Sequence, residues 1–334
     1  MIIRRSILRV LFISLLLLSF AGHAEATYGV DDYPSTFGVD PFEYFNVYSL
    51  GNMGQSDNIY PTDIQGTIGV AGHAYLGLGI GSQQTNEYSL HTGGDVFINE
   101  GSMYGKFDIG GNANIDHFAV NYDLHAGGNV TLGPDASVAA NIYDVTDGYT
   151  PMFDYAALNQ YYLDTSANIG GLAATATMSA PYSTVYFNVS SGINVFEVDA
   201  TDLYANYSRI VVDGPSDAVV YINATDISAN LGWSLNWDFL NGASQDNVIL
   251  NFENATTLTV KGGEINVLAP KAVTYFPAGT ITGNLIVGDL PDGWQVNDGS
   301  FDPPTVVPEP ISSTLFLVGA ATLGFRRFRK TIKN

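Results

Sequence analysis

A nonapeptide containing a pair of glycines recurs along this 334-residue chain and constrains its fold more than any other feature. Three copies align without gaps at a step of 17 residues: Leu90–Ile98, Phe107–Ile115 and Leu124–Leu132. One looser copy precedes them and two follow far downstream: Ile68–Leu76, Gly262–Val267 and Thr282–Val287. A short unit repeated at this length, with one short strand in each copy, is typical of a solenoid.

Apolar and polar residues alternate after each glycine pair. With the pair counted as positions one and two, positions four and six are apolar in every copy, as in Val96 and Ile98, whereas position three is polar. Such alternation predicts a strand with one buried face. Stacked coils bring equivalent residues about 4.8 Å apart, so the apolar columns would fill a narrow core. We expect the glycine pair at a corner, where φ is positive or where backbones approach closely.

These patterns predict an all-β fold, a parallel β-helix (solenoid) with one α-helix packed along its flank. Apolar residues at helical spacing place the helix over Phe153–Leu163, and the pattern extends past Gly170 and Gly171 toward Met178. Strands are predicted to resume further on, over Val185–Val189, Ile193–Val198, Ile210–Val212, Ala218–Ile222, Val248–Phe252 and Leu258–Val260.

Charge is distributed unevenly along the chain. Of its 12 Lys and Arg residues, three lie near the beginning and five near the end, which leaves Lys106, Arg209, Lys261 and Lys271 among all 33 acids. So acidic a surface repels nucleic acid and anionic lipid, but it attracts divalent cations or a basic partner. No cysteine is present, and this excludes disulfides and thiol chemistry.

Residues 1–26 have the three parts of a secretory signal peptide. A basic start is followed by the apolar run Val10–Phe20 and by small residues that allow cleavage after Ala24 or Ala26. A retained membrane anchor is the alternative, but it requires a longer apolar run. The expected domains are therefore the signal peptide at 1–26, the β-helix at 27–302, and a linker with a distinct C-terminal segment at 303–334.

The C-terminal segment has a proline-rich linker and then three parts. They are the motif Pro308-Glu309-Pro310, the apolar run Ile311–Phe325, and a basic cluster of Arg326, Arg327, Arg329 and Lys330. The apolar run is short for a permanent helix across roughly 30 Å of hydrocarbon, and the basic cluster would stay cytoplasmic. A temporary stop-transfer helix is therefore favoured over a simple membrane anchor.

This three-part end resembles the PEP-CTERM sorting signal of Gram-negative bacteria. The resemblance implies that an exosortase at the inner membrane recognises Pro308, Glu309 and Pro310, cleaves nearby, and releases or re-anchors the protein. It also implies a place at the cell surface or outer envelope, or in the extracellular matrix, in association with exopolysaccharide.

The region 37–302 resembles the choice-of-anchor A family of surface domains. The matching segments lie toward its two ends: Phe45-Asn46-Val47, Asp63–Gly66, Ala71–His73, Asn247–Phe252, Ala255–Leu258, Val267–Pro270 and Gly283–Gly288. The pattern departs at Ala71, where the first glycine of the first pair is expected. The resemblance implies a β-helical surface domain, adhesive in some members, and supplies no catalytic residues.

Two polar columns are candidate binding sites. Position three carries an outward ladder of His73, Asp95, Asn112 and Asn129, which is either a ligand-binding face or a row of side chains bonded to one another. Two positions before the glycine pairs stand His91, Asp108 and His125, which by parity share an outward face. Two histidines beside a carboxylate suit a transition metal, and a hydrogen-bonded ladder is the alternative.

Calcium is the ion that the acidic surface favours. The candidate ligands are Asp144–Gly148 and the group Asp289, Asp292, Asp298 and Asp302. Neither set forms a complete calcium loop.

The leading functional hypothesis is a non-catalytic structural or adhesive protein whose partner is an exopolysaccharide or another surface glycan or protein. A polysaccharide-active β-helix enzyme is the first alternative, but its proton-transfer chemistry lacks clustered basic residues, and no Gly-x-Ser-x-Gly motif is present. An ice-binding solenoid is the second alternative. It requires a regular Thr column, whereas Thr131 aligns with Tyr75, Phe97 and Asn114.

Overall fold

The computed structural model describes residues 40–56, 63–82, 87–231, 236–293 and 295–303. The predicted signal peptide and the predicted sorting signal, with its apolar run and basic cluster, lie outside these residues. Within them, no helix is both long enough and apolar enough to cross a membrane.

The described residues are mostly short strands. In the first half these are β1 Val47–Ser49, β2 Ile68–Val70, β3 Ala74–Ile80, β4 Tyr88–Thr92, β5 Val96–Met103, β6 Lys106–Ile109, β7 Ala113–Ile115, β8 Phe118–Val120, β9 Leu124–Ala126, β10 Val130–Leu132, β11 Ser137–Val138 and β12 Ile142–Tyr143. In the second half they are β13 Thr184–Asn188, β14 Gly192–Val198, β15 Arg209–Asp213, β16 Ala218–Ala224, β17 Ser228–Asn230, β18 Asn236–Leu240, β19 Val248–Asn251, β20 Thr257–Thr259, β21 Gly263–Glu264, β22 Asn266–Tyr275, β23 Thr280–Thr282, β24 Leu285–Asp289 and β25 Gln295–Asn297.

The helices are few. They are α1 Pro41–Tyr44, α2 Tyr155–Gly170 and α3 Ala200–Asn206, with 3-10 turns at Val145–Asp147 and Gln245–Asn247. The predicted flanking helix is α2, and α1 and α3 are shorter additions that the sequence did not predict.

The strands stack in parallel as a three-sided β-helix, which confirms the predicted fold class. One side, here called the covered face, is a continuous sheet in the order β12-β9-β6-β4-β2-β1-β24-β22-β19-β16-β14. A second side, the open face, carries the first part of β3 and of β5, then β7 and β10. The third side carries the ends of β3 and β5, then β8 and β11.

The chain enters this stack in its middle. Strand β1 pairs with β2 on one side and with β24 on the other, so the first coil lies between the early and the late parts of the sequence. From β1 the chain winds outward to β12, and α2 then precedes the coils that begin with β13 and β14 and wind back to β24. Bridges from Met53 to Ala74 and to Leu290 join the two halves on the open face.

The register of the repeats is the one that the 17-residue step predicts. Val96 pairs with Ala113, and Ala113 with Val130. Val96 and Ala113 are fully buried, and Val130 packs partly exposed against the core in the outermost coil. The aliphatic columns therefore point into one shared interior.

Close backbone approach explains the glycine pairs of the tight repeats. A Cβ atom on Gly110 would lie 2.4 Å from the carbonyl oxygen of Gly93, and one on Gly127 would lie 2.5 Å from that of Gly110. Positive φ, the other expected reason, applies instead to the downstream copies at Gly262, Gly263 and Gly283.

Helix α2 lies against the covered face and buries Leu158, Tyr162 and Ile169. Asp154 caps its start by accepting a hydrogen bond from the Ala157 amide at 3.1 Å. The predicted extension of the helix toward Met178 is wrong. The chain beyond Gly171 bonds to neighbouring strands instead, through the amides of Thr175 and Ala176 to the Val195 carbonyl.

Candidate functional site

The outward column of the covered face is not exposed to solvent. Beneath α2 this column carries the buried Tyr48, Ile286 and Leu268, then the buried Asn251 and the partly exposed Asn223. Nearer the β12 end it carries His91, Asp108 and His125 in paired positions of β4, β6 and β9. The predicted column therefore exists, but α1 and the segment before α2 cover much of it.

His91 and Asp108 form a fully buried hydrogen-bonded cluster. The Asp108 carboxylate accepts from His91 Nδ1 at 2.8 Å and also from the Tyr149 hydroxyl and the Met152 amide. Because a carboxylate only accepts, His91 carries its proton on Nδ1, and Nε2 accepts from the Tyr44 hydroxyl at 2.9 Å. These two residues point outward from the sheet, as parity predicts, but they are fully buried. Parity gives the direction of a side chain but not what lies over it.

His125 is separate from this hydrogen-bonded cluster. Its ring packs 4.6 Å from the Tyr143 ring and 4.9 Å from the Tyr149 ring, and among the described residues neither nitrogen has a hydrogen-bond partner. Both nitrogens of His91 are engaged, so the three side chains are not arranged as ligands of one ion. No group of three or more His, Cys, Asp or Glu in the described part of the chain is placed to hold a metal.

Burial controls the ionisation of this region. It lowers the pKa of His91, against the opposing effect of the bond to Asp108, and it also lowers the pKa of His125. Burial, together with the nearby Asp108 charge, raises the pKa of Tyr44 and of Tyr149 well above the ordinary value. Both histidines are therefore neutral in the folded protein at pH 7.

The lowered pKa values predict that the protein loses stability in mild acid. In the unfolded chain both histidines titrate near pH 6.5, so between that pH and the lower folded values the unfolded state binds more protons. The free energy of unfolding should then fall as pH drops below about 6.5, by up to about 1.4 kcal/mol per histidine for each pH unit. Urea denaturation at pH 7.5 and pH 5.5 measures this loss. The substitution His125→Phe, which keeps the aromatic packing, should make it smaller, and an unchanged pH dependence would contradict the assignment.

The position-three ladder lies at an exposed corner and holds successive coils together. His73 Nδ1 accepts from the Asp95 amide at 3.0 Å, Asp95 Oδ1 from the Asn112 amide at 2.7 Å, and Asn112 Oδ1 from the Asn129 amide at 2.9 Å. Each of these side chains satisfies a backbone donor of the next coil. The side chains of the ladder thus bond mainly to the backbone of the next coil, and one direct bond between side chains runs from Asn112 Nδ2 to Asp95 Oδ1 at 3.0 Å.

The carboxylates predicted for calcium serve mainly as backbone acceptors. Asp144 and Asp147 cap the short 3-10 turn between them. Asp289 accepts from the Asn52 amide at 2.7 Å, and Asp292 from the Phe276 amide at 3.1 Å. These acids stabilise turns in the described structure.

A shallow groove on the open face is a candidate for ligand binding. It has a volume of about 390 Å³ and is lined by Ser56, Tyr75, Phe97, Ile98, Asn99, Asn114, Ile115, Asp116, Thr131 and Gly133. The Tyr75 and Phe97 rings stack with centroids 4.8 Å apart and planes only 6° from parallel. In the next two coils the same column carries Asn114 and Thr131, so the aromatic ladder ends at Phe97 and a polar floor begins.

These four residues already align in one outward column of the sequence repeats, where their irregularity argues against ice binding. The column also holds a signal for the groove, namely two aromatic residues followed by two short polar ones at the repeat spacing. Their different lengths create the depression beside Phe97.

The described residues thus form a three-sided parallel β-helical solenoid with one covered face and one grooved, solvent-facing side. Residues 38–298 match the family model described as "Putative Ice-binding-like adhesive domain". The chain belongs to this family of ice-binding-like adhesive domains.

Other comparisons add little to this assignment. No curated protein sequence matches the chain. Among solved structures, the chain is similar to an ice-binding protein from the Antarctic ascomycete Antarctomyces psychrotrophicus, with 13% identity over 78% of this chain and 96% of that one. The TM-score of 0.25 is too low to support a functional comparison.

Proposed function

We propose that this protein is an exported, non-catalytic adhesin of a Gram-negative cell surface or extracellular matrix, where it associates with exopolysaccharide. The observation that carries the proposal is the match of residues 38–298 to an adhesive domain family. The flanking segments at 1–26 and 303–334, which resemble a signal peptide and an exosortase sorting signal, supply the route. Exosortase and the inner membrane are its partners during processing.

The surface of the domain supports an extracellular binding role. The chain has a net charge of −21, which favours solubility and disfavours anionic partners. Its open face presents side chains at the fixed spacing of stacked coils. A regular array of this kind suits a repeating partner such as a polysaccharide.

Sorting is tested by changing the Pro-Glu-Pro motif in an exosortase-containing Gram-negative host. The triple substitution of Pro308, Glu309 and Pro310 by alanine should leave the C-terminus uncut and the protein in the inner-membrane fraction. Substitution of Pro303 and Pro304 in the linker is the matched control and should leave processing unchanged. Fractionation with antibodies to the domain and to a C-terminal tag measures both results. Normal processing of the triple variant would rule out this route.

Ice binding is the second candidate, because the family itself is described as ice-binding-like. The open-face column of Tyr75, Phe97, Asn114 and Thr131 is not the regular hydroxyl array that such binding favours. Thermal hysteresis of the purified protein separates the two functions, since an adhesin of glycans has no reason to depress the freezing point beyond its colligative effect.

A further inference from the structure

We propose that the groove beside Phe97 is a binding site for an uncharged pyranose unit of a polysaccharide. This inference rests on the proposed adhesive function and gives it a site and a ligand class. The volume of about 390 Å³ lies within the range of small-molecule sites, roughly 300–1,000 Å³. It requires no rearrangement of the stack.

The aromatic ladder supplies the apolar wall of this site. The Tyr75 and Phe97 rings are parallel and repeat at the coil spacing, so they lie one above the other along the stack. Tyr75 covers one side of Phe97, while on the other side the next coil presents only the shorter Asn114. The free side of Phe97 therefore borders the groove. An aromatic face matches the C–H face of a pyranose, since both are apolar and flat.

Polar residues line the same groove as this apolar wall. Asn114 and Thr131 line it in the two coils beyond Phe97, and Asn99 and Asp116 line it as well. Together they offer donors and acceptors around one apolar wall, the usual composition of a site that fixes the orientation of a small ligand.

Charge restricts which glycan fits. Asp116 borders the groove, and the chain as a whole carries a net charge of −21. A uronic-acid or sulfated unit would meet like charge. The site therefore favours a neutral hexose chain over an anionic one.

Most of the residues that line the groove belong to paired strands of the solenoid, so the groove keeps its shape without a ligand. Ile98 and Ile115, which line its base, are buried core residues paired with each other in β5 and β7. The adjacent corner ladder bonds the same coils through Asp95 and Asn112. The wall and the floor are thus fixed by the solenoid itself, which lowers the entropic cost of binding.

The test is binding of neutral oligosaccharides to the full-length protein in a zwitterionic, sugar-free detergent. Cellohexaose, mannohexaose and chitohexaose are the neutral probes, and a hyaluronan hexasaccharide is the anionic probe. Saturation-transfer NMR detects contact, and calorimetric titration gives the affinity. We expect at least one neutral probe to bind and the hyaluronan probe to bind more weakly or not at all.

Variants locate the contact. Phe97→Ala should weaken binding about tenfold or more, as for an aromatic residue at the centre of a site, and Asn114→Ala should weaken it less. Tyr122→Ala is the matched control, because Tyr122 is a 45% exposed aromatic residue outside the groove lining. Unchanged circular dichroism and melting temperature show that each variant is folded.

Three results would overturn the inference: no binding of any neutral probe, preferential binding of hyaluronan, or unchanged affinity in Phe97→Ala. The sorting experiment is independent of all three. Normal processing without glycan binding would remove the pyranose site and leave an exported adhesin of another ligand, whereas failed processing with glycan binding would remove the export route alone.

Discussion

Replacing Asp108 with alanine is expected to lower the free energy of unfolding by about 3 kcal/mol or more, because three buried donors lose their acceptor at about 1–3 kcal/mol each. The Asp108 side chain is fully buried. It accepts hydrogen bonds from His91 Nδ1, the Tyr149 hydroxyl and the Met152 amide. Its loss would strand three donors inside the covered face, where water cannot replace the carboxylate.

Urea denaturation followed by circular dichroism measures this effect. Asp108→Asn keeps one acceptor oxygen of nearly the same shape, so it should lose less stability than the alanine variant. Asp217→Ala is the surface control, because that side chain is exposed, and its effect should stay within about 0.5 kcal/mol. A loss below about 1 kcal/mol in Asp108→Ala would show that the cluster does not secure the covering segment.

Asn284→Ala should destabilise the protein by about 3 kcal/mol or more, since three buried backbone groups lose their partner at about 1–3 kcal/mol each. Asn284 is 1% exposed. Its Nδ2 donates to the carbonyls of Phe42 and Phe45 at 2.9 and 2.7 Å, and its Oδ1 accepts from the Phe301 amide. One side chain thus joins the beginning of the domain to its end, at the place where β1 is inserted beside β24.

Asn112→Ala is the matched control for this substitution. Asn112 also bonds along the stack, by accepting from the Asn129 amide at 2.9 Å, but it lies at an exposed corner where water can replace the bond. Its loss should cost about 1 kcal/mol or less. Melting temperatures and urea midpoints compare the two variants, and equal losses would contradict the special role of the buried junction.

Sequence periodicity predicted the interior of this protein well, because a repeated alternation of apolar and polar residues fixes which side chains of each strand face the core. Val96, Ala113 and Val130 had to share a side of their strands, and the glycine pairs had to sit where coils touch. The helix was also predicted, over Phe153–Leu163, and it begins at Tyr155 after the N-cap Asp154.

The order of the coils could not be predicted in the same way. The strands Val47–Ser49, Ile68–Val70 and Leu285–Asp289 are all short, and each begins with an aliphatic residue that points into the core. The residues of each strand alone do not determine which of the other strands it pairs with. Only the complete set of contacts, including those of Asn284, places β1 between β2 and β24.

The candidate site shows the same limit. The outward directions of His91 and Tyr75 follow from parity, but one is buried beneath another part of the chain and the other lines an open groove. What covers an outward column depends on where α1, α2 and the residues before α2 lie. A single repeat contains no information about those distant segments.

The insertion of the first coil at mid-stack has a mechanical consequence for a tethered molecule. Phe42 and Phe301 pack with ring centroids 5.8 Å apart. The first and last segments of the described domain therefore contact each other in the middle of the stack. A pull on Asp302 would load Phe301 and strand β25, which pairs with β23 and is bridged at Val296 to Ile64. Such a load meets bonded strands on both sides of β25, so the outermost coils should not peel away one by one.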